Sequence, residues 1–240
     1  MNRIHPSAVV GEGVVLGSDV VIGPHVVLMG PLVIGDEVWI GAGTTIGAPP
    51  EISSARQNVA WDGDLEHAGV LLADGVVIRE HVVIHQGSVR RTEVGAGSWL
   101  LNRAYVAHDV VIGERVTVSG GVSIGGHCTI RDRVNLGMNA VVHQRRSIGA
   151  VSMIGMGTPV ARDVPPFATV YGVPPRLRGV NAVGMSRAGI DAKTIEVIRA
   201  SYAGGATDLS GLPHVAAEFL WWSRVSDRRP VPPETPATQT

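Results

Sequence analysis

His108 and Asp109 stand side by side in Val106-Ala107-His108-Asp109, and Gly126-His127 follows just over eighteen residues later. An imidazole with an ordinary pKa of about 6.5 can take a proton from a hydroxyl at neutral pH, and an adjacent carboxylate can fix its tautomer. A backbone N–H at Gly126 can hold the negative charge that develops when a carbonyl is attacked. His85, His143 and Gln144 add polar side chains to the set. Taken alone, His85, His127 and His143 each read equally well as a packed or solvated residue or as a ligand, and His108 as a surface residue on a solvated turn. As an ordered set these residues favour a site, at which an imidazole, a carboxylate and a backbone N–H could serve proton transfer and charge stabilisation.

The elements that must position these groups are visible in a period of six. From Val94, every sixth residue through Val160 is aliphatic, and so is every sixth from Ile4 through Ile46. Neither a helix nor a strand has that period. It is the signature of a hexapeptide solenoid, one short strand and one turn per hexad. A Gly often follows the aliphatic, as at Gly17, Gly113 and Gly125, where a turn needs positive φ or close backbone approach. A second small residue four places on, such as Val110, Val122 or Cys128, completes a narrow stacked core. His108 then lies on a turn and points outward. The register breaks at 47–71, which carries Pro49-Pro50 and Trp61, and again at 86–93, which carries Arg90 and Arg91. Such insertions fall on one face, often the binding face. The expected layout is a β-helix over 1–178, a helical segment over 179–226 and a disordered tail over 227–240. Asp191 is the expected cap of one helix, and Pro213 opens another through Trp221 and Trp222.

Net charge of −1 gives no electrostatic case for nucleic acid. A single Cys rules out an internal disulfide framework, and Cys128 falls on an inward position. No apolar run is long enough to insert in a membrane. With the repeat starting at Ile4 there is no room for a signal peptide, and a cytoplasmic protein is expected.

The order Ala107-His108-Asp109, Gly125-Gly126-His127, Val142-His143-Gln144, Asp163-Val164-Pro165-Pro166, Gly179-Val180-Asn181 and Ile198 to Tyr202 resembles one family. That family is the acyl-[acyl-carrier-protein]–UDP-N-acetylglucosamine O-acyltransferases of lipid A biosynthesis, and the likeness spans roughly residues 3–202. The resemblance implies a mainly β fold, a left-handed parallel β-helix with a small α-helical C-terminal segment, assembled as a homotrimer with sites between subunits. It implies transfer of a 3-hydroxyacyl group to the 3-OH of UDP-N-acetylglucosamine. The donor would be the 4′-phosphopantetheine thioester of acyl carrier protein, or acyl-CoA, with no tightly bound cofactor. The resemblance implies His108 as general base, Asp109 as its support and Gly126 as the oxyanion donor. His85, His127, His143 and Gln144 match groove positions, Met156 a position that limits acyl length, and Asn181 and Arg187 nucleotide contacts. Departures are Tyr105 where a second His is common, Pro49-Pro50-Glu51-Ile52 in place of a Gln-Asp-Leu-Lys run, Val183 for an acidic residue and Ala188 for a second Arg. They leave room for a CoA-dependent O- or N-acyltransferase acting on another nucleotide sugar. Arginines on turns, including Arg131, Arg133, Arg145 and Arg146, suit an acidic carrier protein or a diphosphate, or a plain solvated surface. His81 and His85, four apart, lack the second His pair of the zinc hydratases of this fold, so no metal is expected.

Overall fold

The computed structural model describes residues 1–54, 57, 67–207, 209, 211–225 and 229–233. It is the expected left-handed parallel β-helix, with three sheets of ten, eight and seven strands as its faces. Most strands are two or three residues long, and aliphatics eighteen residues apart pair directly, as Leu100 with Val118 and Leu136 with Ile154. Each coil thus stacks its inward aliphatics on the next. Ile112, Val118, Ile124 and Ile130 and the intervening Val110, Val116, Val122 and Cys128 are all buried in one continuous core. Burial pushes the Cys128 thiol up to about 11, and its Sγ lies 3.2 Å from the His143 carbonyl, so it is a protonated core residue.

The ladder also measures the insertions. Ile40 pairs with Ile78, a step twenty residues longer than one coil, and Ile78 pairs with Leu100, a step four residues longer. Trp61, expected in the first insertion, lies outside the described residues. Apart from Gly47, whose φ is 88°, the glycines that follow the aliphatics serve close approach. A Cβ on Gly125 would lie 2.7 Å from the Gln144 nitrogen. Positive φ falls instead three residues after the aliphatic, at Asp109, His127 and Arg145 among others. Asp and His tolerate that conformation better than most side chains. The chemistry-bearing residues therefore sit on the tightest part of the turn.

A hairpin, Ala168–Tyr171 antiparallel to Arg176–Val180, closes the ten-stranded sheet and runs across residue 178. Three helices follow: α1 (Ala182–Arg187), α2 (Ala192–Ala203) and α3 (Ala216–Arg224). Asp191 caps α2 through Thr194 N–H, and Pro213 opens a 3-10 turn before α3. Ile195, Ile198 and Tyr202 of α2 and Phe219 and Trp222 of α3 are buried. The expectation of a disordered tail from 227 does not hold for residues 229–233. Asp163 N–H donates to the Arg229 carbonyl and the Asp163 carbonyl accepts from Val231 N–H, Arg229 N–H donates to the Asp163 carboxylate at 2.6 Å, and Val231 is buried. Proline and threonine content alone does not show a carboxylate waiting to pin the chain. Residues 226–228 and 234–240 lie outside the described residues.

Candidate active site

His108 follows the strand Tyr105–Val106, and its side chain is only 12 % exposed. Its Nδ1 lies 2.6 Å from Asp109 Oδ2. The ionised carboxylate can only accept, so Nδ1 carries the proton and Nε2 is the free base. The ring lies against the next coil. A Cβ added at Gly126 would fall 2.7 Å from His108 Cε1 and Nε2, so position 126 has no room for a side chain. Among the described residues the Gly126 N–H has no acceptor, which leaves it available beside Nε2.

Asp109 is fully buried and heavily solvated by protein. Its Oδ1 accepts from the N–H groups of Ser88, Val89 and Arg90 at 2.8–3.0 Å, and Oδ2 accepts from Ser88 Oγ at 2.6 Å. Burial alone would raise this carboxyl. The Ser88 hydroxyl, the Arg90 N–H, His108 and the Val89 N–H outweigh it and hold the group far below the usual carboxylate range. Ser88 and Arg90 were not legible as part of the site. They sit in the four-residue insertion, whose fold depends on wrapping a residue one coil away. Arg90 also spends its guanidinium on the carbonyls of Asp109 and Cys128, so it is not free to dock a carrier protein.

His127 lies one coil on, its ring edge-on to His108 at a centroid distance of 4.8 Å and its Nδ1 3.6 Å from Asp109. Burial lowers its pKa, with the Asp109 charge working the other way, so it is neutral at pH 7. His108, Asp109 and His127 offer donor atoms within 4.8 Å of one another. The five hydrogen bonds on Asp109 already occupy its lone pairs, which suits a locked carboxylate better than a metal ligand.

His85 and Tyr105 stand on neighbouring strands of the same face, rings 5.3 Å apart. Tyr105 donates to Glu51, and His85 Nδ1 lies 2.8 Å from the Pro49 carbonyl and 3.3 Å from Glu51. Burial and the Glu51 contact raise the Tyr105 hydroxyl, keeping it a donor. Glu51 thereby joins the site. The only signal for it was its place in the altered run Pro49-Pro50-Glu51-Ile52. On the other side of His127, His143 and Gln144 line a cavity of about 640 Å³ with Arg145, Arg146 and Arg224. Met156 is apart from these groups, on the turn at the opposite edge of the face, and 74 % exposed, so it is not coil packing. Met138 and Val141, also exposed, stand near it on the preceding coil and give that flank an apolar strip. Asn181 and Arg187 lie elsewhere, around a cavity of about 650 Å³ under α1. The Asn181 side chain caps α1 through Gly184 N–H and donates to the Val151 carbonyl.

This fold with this repeat defines a hexapeptide protein: residues 91–126 match the bacterial transferase hexapeptide family. Residues 163–204 match domain 2 of the UDP-N-acetylglucosamine O-acyltransferase family. In sequence the chain is similar to the acyl-[acyl-carrier-protein]–UDP-N-acetylglucosamine O-acyltransferase of Syntrophobacter fumaroxidans, 46 % identical over 141 residues, 57 % of this chain and 55 % of that one. The enzyme of the same name from Pseudomonas savastanoi pv. phaseolicola is 35 % identical over 146 residues, 58 % of this chain and 57 % of that one. The match thus spans little more than half the length of these curated relatives. In structure the chain is similar to the UDP-N-acetylglucosamine acyltransferase of Francisella novicida, with TM-score 0.70, 27 % identity and coverage of 83 % of this chain and 78 % of that one. The O-acyltransferase of Moraxella catarrhalis aligns with TM-score 0.70, 25 % identity and coverage of 96 % and 95 %.

Proposed function

We infer that the protein transfers a 3-hydroxyacyl group from the phosphopantetheine thioester of acyl carrier protein to the 3-OH of UDP-N-acetylglucosamine. The observation that carries this reading is the locked pair His108–Asp109 with Nε2 beside the unpaired Gly126 N–H. Nε2 takes the proton of the sugar hydroxyl while its oxygen attacks the thioester carbonyl. The carbonyl oxygen becomes an oxyanion held by the Gly126 N–H. Collapse breaks the C–S bond, and the leaving thiolate recovers the proton from the imidazolium, which Asp109 has stabilised. An ester forms, a thiol departs, and no covalent enzyme intermediate is needed. Relatives named for this reaction support the choice of donor and acceptor. On this reading the enzyme works in the cytoplasm, in a lipid A pathway, beside its carrier protein. The test is a matrix of acyl carrier protein and CoA thioesters against UDP-N-acetylglucosamine, read by mass spectrometry. Acylation of UDP-N-acetylglucosamine by the carrier-protein donor is expected; a product seen only with CoA thioesters or only with another acceptor overturns it.

The Glu51 carboxylate held by Tyr105 and His85 favours a second reading, an acyl- or acetyl-CoA-dependent transfer to another nucleotide sugar, with an amine as a possible acceptor. Hydroxylamine cleaves an ester product and spares an amide, which separates the two.

The exposed Val141 lies on the sheet that carries Tyr105 and Val106, and the exposed Met138 and Met156 lie on turns at its edge. We therefore expect a homotrimer, with a light-scattering mass about three times the 25.1 kDa chain. A sharp monomer at micromolar concentration overturns the shared-site arrangement.

Met156 is expected to shorten the acyl chain accepted. Met156→Gly removes a flexible side chain from the end of the apolar strip. Each methylene newly buried is worth about 0.8 kcal/mol, so two more carbons shift kcat/KM by roughly tenfold. A ladder of hydroxyacyl donors checks this; an unchanged preference removes Met156 from the groove.

A further inference from the structure

Every polar group of Asp109 has a partner in one short segment, residues 88–92. Its N–H donates to Thr92 Oγ1 at 3.0 Å, and its carbonyl accepts from Arg90 Nε at 2.7 Å. Oδ1 takes three consecutive backbone N–H groups, those of Ser88, Val89 and Arg90, which together form a small anion nest. Oδ2 is different, because side chains alone approach it. Ser88 Oγ and His108 Nδ1 both lie 2.6 Å from it, and His127 Nδ1 lies 3.6 Å away. The first two are short bonds to a charged acceptor. The third is beyond hydrogen-bonding distance. Two imidazoles thus stand beside one carboxylate oxygen, and only one of them is bonded to it.

An ionised carboxylate offers about two lone-pair sites on each oxygen. Ser88 and His108 fill both sites of Oδ2, and none is left for His127. Among the described residues Ser88 Oγ has no other partner. The loop does not need the hydroxyl to stay in place, since the backbone nest already grips Oδ1. We propose that Ser88 is a positioning residue, whose hydroxyl closes the second site of Oδ2 and so commits the Asp109 carboxylate to His108 and keeps it from His127. A carboxylate shared between the two rings would release His108 Nδ1 for part of the time. The ring would then lose the tautomer that makes Nε2 a base, and its place beside Gly126. This inference rests on the reading of His108 as base; the choice between the two imidazoles rests on the distances.

The test is Ser88→Ala in the full chain. The three N–H groups on Oδ1 belong to the backbone and remain, so the variant keeps its loop. Its kcat is expected to fall at least about tenfold, the scale of losing a hydrogen bond to a charged group, with KM for donor and acceptor within twofold. Nitrogen NMR of histidine-labelled protein without substrate gives the second readout. In wild type His108 is the Nδ1–H tautomer. In Ser88→Ala the His127 ring gains Nδ1–H character and His108 loses some of its own. Ser88→Thr keeps the hydroxyl and returns both readouts toward wild type. Unchanged kcat and tautomers in Ser88→Ala overturn this inference and leave His108 standing as the base. A fall in kcat with unchanged tautomers overturns it as well, since a loosened loop would do the same. A wild type in which His108 carries its proton on Nε2 overturns the base reading, and with it the task given to Ser88.

Discussion

His108→Ala is expected to lower kcat at least ~100-fold, the scale of losing a general base, while the melting temperature stays near that of the wild type. The imidazole lies on a turn outside the stacked core, and no backbone group depends on it for a hydrogen bond. What it touches is Asp109, His127 and the bare face of Gly126. Its removal therefore takes the base and leaves the coil. The measurement is steady-state turnover with saturating donor and acceptor beside a thermal melt. Activity within a few-fold of wild type would falsify the assignment of His108 as base, and with it the mechanism given above.

Asp109→Asn should cost at least ~100-fold in kcat for a different reason. The Asn carbonyl can still accept the N–H groups of Ser88, Val89 and Arg90, and its amide can donate to Ser88 Oγ. The amide also faces His108 Nδ1, which must now accept. The proton moves to Nε2, and the nitrogen beside Gly126 is no longer a base. Asp109→Ala is the contrasting variant: it leaves three part-buried N–H groups without their acceptor and should cost about 1–3 kcal/mol in stability. A fully active Asp109→Asn enzyme would show that the carboxylate only ties down the loop. The same carboxylate sets an acid limit. Its folded pKa is depressed, so its contribution to stability is complete above the ordinary carboxylate pKa of about 3.9. That contribution is lost as pH falls below this value toward the folded pKa. Denaturant unfolding at a series of pH values should show the loss in wild type and its absence in Asp109→Asn.

The solenoid was readable because its rule is local. Every sixth residue must be aliphatic to stack, so register and core follow from counting. The proximity of His108, Asp109 and Gly126 was readable too, since a fixed eighteen-residue coil puts residue 108 beside residue 126. The parts that resisted are those where the count is interrupted. Ser88 and Arg90 reach Asp109 from an insertion with no period of its own. Glu51 reaches Tyr105 from the other insertion, across 54 residues of chain. Residues 229–233 carried no pattern, and a single buried carboxylate, Asp163, decides their place.

The coil ladder also sets how such a protein can be graduated. His108 and Met156 lie nearly three coils apart, and the backbone ladder between them pairs Tyr105 with Ser123, Ser123 with Val141 and Val141 with Pro159. That span is a whole number of hydrogen-bonded steps of about 4.8 Å, rigid because each step is stitched on three faces. Coarse changes in length are available only as entire eighteen-residue units, since anything smaller turns the next face away. Fine changes are left to the side chain at the far turn, which can be exchanged without disturbing a single ladder bond. On the role proposed for Met156, the architecture works as a scale with fixed main divisions and one movable cursor.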